Sequence, residues 1–331
     1  MSEAAARMIG RRATLLLPLT LCAVRARAAA PTIRIGVLRF GTVSWEIDVI
    51  RRHGLDAAAG VAVEPIEYAA AQATQTALQA GVVDMVVIDW LWVSRQRHAG
   101  ADFTFTPFSN ASGGLIAPPD SPVRAIGDLP GRRLGVAGSP IDKNWLILRA
   151  YAEQMLGVDI ARAAQASFAP PPLLHEQIQR GRLDAVLTFW PFVAKGEAAG
   201  MRHVLDIGDA VRGLGIHAEV PVIGYVFSEA WAKRNRPALD GFLSASGKAR
   251  AILAESDAEW QRLMPLTGAK SQAELERLKA LYRAGIPRQW GEAERRAAAQ
   301  LFTVLARIGG QELVGAAGTL AEGTFWPVTG A

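Results

Sequence analysis

Residues Leu78-Gln-Ala-Gly-Val-Val-Asp-Met-Val-Val-Ile-Asp-Trp90 return one hundred positions later as Ile178-Gln-Arg-Gly-Arg-Leu-Asp-Ala-Val-Leu-Thr-Phe-Trp190. Gly81 answers Gly181, Asp84 answers Asp184 and Trp90 answers Trp190. Each stretch reads as a helix stopped by glycine, a short polar turn and a buried apolar strand. Each strand delivers a tryptophan at its carboxyl end, where open α/β sheets bind ligands. Two such units imply two lobes facing one cleft, a frame suited to clamping a small molecule.

The surrounding pattern alternates strand and helix, which implies mainly parallel sheets. Thr32–Leu38 and Val61–Tyr68 read as strands, with a helix from about Trp45 to His53 between them. A second helix spans Ala69 to Ala80, and the first repeat strand is Val83–Ile88. Gly113–Ala117 runs into Pro118-Pro119-Asp120-Ser121-Pro122, read as the first crossing between lobes. Asp128–Ala137 opens the second lobe. Ser139-Pro140-Ile141-Asp142 reads as a helix start with Ser139 at the cap and Asp142 as its reciprocal partner. Val220–Phe227 is a strand placed for the return crossing. Beyond Ser228 the chain reads as amphipathic helix, with capping pairs Ser256/Glu259 and Ser271/Glu274 and stops at Gly285 and Gly309-Gly310.

Half of the 331 residues are apolar, enough for real cores. The net charge of +5 belongs mostly to the start of the chain: residues 1–30 hold Arg7, Arg11, Arg12, Arg25 and Arg27 against Glu3 alone. The remainder is close to neutral, which gives no reason to expect nucleic acid as a partner. Arg11-Arg12, the twelve-residue apolar run Ala13–Val24 and Ala26-Arg27-Ala28 together read as an export signal (residues 1–28) cleaved near Ala28. The alternative is an Ala/Arg-rich cytosolic tail. Cys22, the one cysteine, lies inside that run, so the mature chain would carry no disulfide, thiolate nucleophile or cysteine metal site. His53, His98, His175, His203 and His217 show no metal-ligand spacing, and no phosphate loop, dinucleotide fingerprint or nucleophile elbow is present. No cofactor or metal is expected.

The order of Ile33-Arg-Ile-Gly-Val37, Ala80-Gly-Val-Val-Asp-Met-Val-Val87, Asp120-Ser-Pro-Val123, Asp128-Leu-Pro-Gly-Arg-Arg-Leu-Gly-Val136 and Arg180-Gly-Arg-Leu-Asp-Ala-Val186 resembles periplasmic solute-binding proteins of ABC importers. The nitrate/sulfonate/taurine type is the nearest group, and Glu322-Gly-Thr-Phe-Trp326 shares its flavour. The resemblance implies an α/β, two-lobed, type II periplasmic-binding-protein-like fold with two interlobe crossings. Residues 31–117 and 222–331 form lobe one, and 118–221 form lobe two. It further implies a monomer that delivers a small organic solute to a membrane permease and its ATPase, and it does not choose the solute. The rival is an enzyme on the same frame, like the pyrimidine-synthase-like or desulfinase-like relatives. A sensory module is a third reading, but no signalling domain follows.

Candidate ligand residues sit at strand ends and helix starts. Trp90 and Trp190 offer flat faces, although either could simply pack on a helix. Asp89, at a strand end, must be solvated, cap a helix or meet ligand. Thr42, Ser44 and Trp45 lie at one helix start, and Ser139, Lys143 and Asn144 at the equivalent one. Arg39 could meet an anion but reads more simply as a solvated arginine. Aromatic faces, one acid and two helix starts suit a flat or amphipathic solute better than a bare oxyanion.

Overall fold

The computed structural model describes residues 30–39, 41–315 and 318–327. The expected export signal, residues 1–28, lies outside the described residues. The chain opens with β1 (Thr32–Leu38), α1 (Val43–Arg52), α2 (Leu55–Ala58), β2 (Ala62–Tyr68), α3 (Ala71–Gln79), β3 (Met85–Asp89), α4 (Trp90–His98) and β4 (Phe103–Ser109). It continues through β5 (Gly113–Ala117), β6 (Arg133–Ala137), α5 (Lys143–Leu156), α6 (Ile160–Ala163), β7 (Gln165–Ala169), α7 (Pro171–Gln179), β8 (Ala185–Phe189), α8 (Trp190–Ala198), β9 (Arg202–Asp206) and α9 (Ile207–Gly213). It closes with β10 (Ile223–Ser228), α10 (Glu229–Arg234), α11 (Arg236–Glu255), α12 (Asp257–Thr267), α13 (Gln272–Ala284) and α14 (Glu292–Val314).

Two five-stranded sheets share one plan. The first runs β2-β1-β3-β10-β4 and the second β7-β6-β8-β5-β9. In each, the first three strands pair in parallel, and one antiparallel strand lies before the edge strand. That antiparallel strand is the one a crossing delivers: β5 enters the second sheet directly after β4, and β10 returns to the first. The expected α/β fold with mainly parallel strands is present.

The first crossing is not where the prolines suggested. Gly113–Ala117, expected in lobe one, pairs with β8 and β9 of the second sheet, so the chain crosses at residues 110–112. The Pro118–Pro122 cluster follows the crossing strand instead of forming the crossing. Both crossing strands need glycine near their start. A Cβ on Gly113 would lie 2.1 Å from the Thr188 carbonyl oxygen, and one on Gly224 would lie 2.1 Å from that of Thr106.

The two repeat units are built alike. Gly81 (φ 68°) and Gly181 (φ 67°) end their helices in the left-handed conformation that glycine alone adopts without cost. Asp84 accepts the Arg34 amide at 2.9 Å and its guanidinium at 2.8 Å. Asp184 accepts the Arg133 amide at 2.8 Å and its guanidinium at 2.6 Å. Each aspartate thus ties its turn to the start of the neighbouring parallel strand, the structural role expected of them.

The helices after β10 join both sheets. α11 packs on α1, α13 on α8, and α14 on both α4 and α5. Glu46, fully buried on α1, accepts the hydroxyls of Tyr225 on β10 and Ser246 on α11. Burial raises its pKa above the ordinary glutamate value, against the opposing charge of Arg250. Ser256 and Ser271 cap α12 and α13 as expected, accepting the amides of Glu259 and Glu274. At Gly310 (φ 60°) α14 bends and resumes to Val314, where a stop was expected. Among the described residues, no helix is long and apolar enough to cross a membrane.

Candidate functional site

A cavity of about 250 Å³ lies where the carboxyl ends of the parallel strands of both sheets meet. The ends of β1 and β3 supply Leu38 and Asp89, with Thr42 before α1 and Gln75 on α3. The second sheet supplies Phe189, Trp190 and Phe192 after β8, and Asp142 and Lys143 at the start of α5. Phe108 and Ser112 border the first crossing. A larger cavity of about 350 Å³ lies beside the crossings, lined by Asn110, residues 216–220 and α9, and it shares Trp190 as a wall. It receives nothing from β1 or β3. The smaller cavity is therefore the one that both sheets address, where α/β ligands sit.

Asp89 and Asp142 approach this cavity from opposite sheets, and each caps a helix. Asp89 Oδ1 accepts the Trp92 amide at 2.9 Å at the start of α4, and Asp142 Oδ1 accepts the Asn144 amide at 2.9 Å at the start of α5. Burial raises the Asp142 pKa above the usual carboxylate value, and the nearby Asp89 charge adds to it, while Lys143 and the Asn144 amide oppose. The Lys143 ammonium lies 5.7 Å from the Phe189 ring centroid. Trp190, 6 % exposed, meets Trp45 edge to face at 5.7 Å between centroids and leans on Tyr282 at 6.3 Å.

Of the residues expected at a ligand site, Thr42, Asp89, Lys143 and Trp190 line the cavity. Trp90 does not. It is fully buried between Phe302 and Phe325, and its indole N–H donates to the Pro221 carbonyl at 3.1 Å. Trp45 stands behind Trp190 as its packing partner. Ser44, half-buried on the first turn of α1, is not among the lining residues. Ser139 is not the helix cap: Gly138 (φ 96°) turns the chain, the Asp142 amide donates to the Ser139 carbonyl at 2.9 Å, and Asp142 caps instead. Asn144 is buried one layer back, its side-chain amide donating to the Ser112 carbonyl at 3.4 Å. Arg39 is exposed, 3.9 Å from Glu67.

Sequence reasoning missed Gln75, Phe108, Asp142, Phe189 and Phe192. The run Phe189-Trp190-Pro191-Phe192 was a usable signal, because three aromatics around one strand end cannot all face the core. Among the described residues, no group of histidine, cysteine, aspartate or glutamate is arranged to hold a metal ion.

Comparison with solved structures places this architecture among known ones. The periplasmic aliphatic sulphonate binding protein SsuA of Escherichia coli superposes with a TM-score of 0.71 at 17 % identity, covering 90 % of this chain and 92 % of that one. The alkanesulfonate-binding protein SsuA of Xanthomonas axonopodis pv. citri, bound to MOPS, gives 0.68 at 17 % identity, covering 90 % and 99 %. The desulfurization enzyme DSZB shares the fold more distantly, at 0.55 and 15 % identity, covering 89 % and 97 %. These identities establish the fold alone. No curated protein sequence matches the chain. The NMT1/THI5-like sequence pattern matches residues 51–259, which take in β2 to β10 and both cavity-lining strand ends of the repeat units. The chain belongs to the NMT1/THI5-like family.

Proposed function

We propose that this protein is the exported solute-binding component of an ABC importer, capturing a small organic solute between its two sheets and handing it to a membrane permease served by an ATPase. One observation carries the reading: a single cavity is lined by strand ends of both sheets, with Asp89 on one side and Asp142 and Trp190 on the other. A solute seated there contacts both halves only when they are together, so it shifts the population towards the closed form. The lobes in this reading are residues 31–112 with 222–331, and 113–221. The mature protein begins near Ala29 and acts as a monomer.

The cavity's walls are mostly apolar and aromatic with a few placed polar groups, the usual make-up of a small-molecule site. Its volume suits a solute of about ten heavy atoms, given that drug-sized ligands need roughly 300 Å³ or more. The fold also serves a desulfurization enzyme, as DSZB shows. Capture is favoured over turnover here because neither histidine nor cysteine is among the cavity's lining residues. Native mass spectrometry of protein purified from its own periplasm tests this. One solute per chain, released intact on unfolding, is expected. A chain that carries no solute and gains no stability from periplasmic extract would overturn it.

A further inference from the structure

The charged groups that line the interlobe cavity are two carboxylates, Asp89 and Asp142, against one ammonium, Lys143. Each aspartate caps its helix through Oδ1, which accepts the Trp92 amide for Asp89 and the Asn144 amide for Asp142. The two carboxylates line the same cavity from opposite sheets, and the Asp89 charge adds to the burial that raises the Asp142 pKa. Two like charges facing an apolar cavity of low dielectric are held at a cost unless a cation or a set of donors joins them.

Some of the amides that could meet an anion are already engaged. An oxyanion at a helix start needs free backbone N–H groups. At α1, Ser44 N and Trp45 N donate to the carbonyls of Gly41 and Thr42. At α4 and α5 the aspartates take the Trp92 and Asn144 amides. At α8, Trp190 N donates to the Ser112 carbonyl, and Pro191 has no N–H to give. Lys143 is the one cationic side chain among the lining residues, and it lies beside the Phe189 ring.

Resting on the solute-binding reading above, we infer that this cavity prefers a solute with an aromatic or apolar body and a protonated nitrogen to one of the same shape bearing a sulfonate, the nitrogen lying between Asp89 and Asp142 while the body lies against Trp190, Phe189 and Phe192. That placement joins the two sheets through one cation, so closure and charge recognition are the same event. Trp190 and the phenylalanines supply faces that a cationic nitrogen on the same body can approach favourably. This sets the chain apart from the sulfonate-binding proteins whose fold it shares.

Two probes of matched shape and opposite charge test it: benzylammonium and benzenesulfonate, titrated calorimetrically into the full-length mature protein. Benzylammonium is expected to bind at least tenfold more tightly. Asp89→Asn and Asp142→Asn keep a good helix cap, so the fold survives while the charge goes. Each should weaken benzylammonium about tenfold or more, the loss expected for one charged hydrogen bond. Unchanged melting temperature for both variants confirms that the loss is local. Equal or tighter binding of benzenesulfonate would overturn the charge assignment while leaving solute capture standing. Binding of neither probe, or unchanged benzylammonium affinity in both variants, would also overturn it. Absence of any co-purified solute would instead count against the solute-binding reading itself.

Discussion

Trp45 and Trp190 meet edge to face with ring centroids 5.7 Å apart, one from the helix after β1 and the other from the helix after β8. They are the direct aromatic contact between the helices that start at the cavity from each sheet. Trp260 and Tyr282 complete the cluster at 5.7 Å and 6.3 Å from Trp45. Trp190 is thus a wall of the cavity and a joint between the halves at once.

Trp190→Ala should therefore act twice. Removing a buried tryptophan costs about 3–5 kcal/mol of stability, because the cluster cannot collapse fully into the space. Solute affinity should fall as well, by about tenfold or more, since a face of the cavity is lost. Chemical denaturation and calorimetry on the same preparation separate the two effects. Normal affinity in the variant would remove Trp190 from the site.

Trp90→Phe should behave differently despite the matching sequence position. The ring volume is largely kept, but the Pro221 carbonyl loses its donor at the return crossing. A loss of about 1–3 kcal/mol is expected for the unpaired buried acceptor. Solute affinity, measured below the variant's melting range, should stay within about twofold because Trp90 does not line the cavity.

The glycines of the crossing strands give a sharper structural test. Gly224→Ala should destabilise by about 3 kcal/mol or more, because the new methyl meets a backbone carbonyl that cannot step aside. Gly247→Ala, with nothing within 4 Å of the added atom and a helical position, should be neutral or slightly stabilising. Comparing their urea midpoints checks the register of β10 against β4.

Acid should loosen the contact between α8 and α13. Glu197 accepts the Arg277 guanidinium at 2.9 Å and contacts His203 Nδ1 at 2.8 Å. Burial alone would raise its pKa, but Arg277 and His203 outweigh that and hold it below the ordinary glutamate value. A lowered folded pKa means that this stabilisation is complete above the unfolded value, about 4.3, and is lost as pH falls through the lower folded one. Glu197→Gln should cost about 1 kcal/mol at neutral pH and flatten the stability curve below about pH 4.5. An unchanged acid limb would show that the pair contributes nothing.

Much of the fold was legible because its signals are local. Gly81 and Gly181 need a left-handed turn, and Asp84 and Asp184 sit where each turn meets a neighbouring strand, so the repeat units could be read from spacing alone. The fates of Trp90 and Trp190 could not. Trp90 is covered by Phe302 and Phe325 from more than two hundred residues away, and no periodicity announces that. The α5 cap was ambiguous because Ser139 and Asp142 both suit the role, and the positive φ of Gly138 decides between them. The Pro118-Pro119 pair outweighed a short glycine-led strand, which placed the first crossing after β5 instead of before it. By spacing Asp142 reads as a capping partner of Ser139; in the structure it is the cap, and it also faces the cavity.

The central claim is that one cavity, addressed by both sheets, captures a solute without consuming it. Once the co-purified solute is known, its calorimetric titration into stripped protein tests that claim most directly. The account predicts one site per chain, a stability gain of about 2.7 kcal/mol at one hundred times the dissociation constant, and recovery of the solute unchanged. Steady conversion of the solute, or full affinity in a chain carrying both Asp89→Asn and Trp190→Ala, would contradict it.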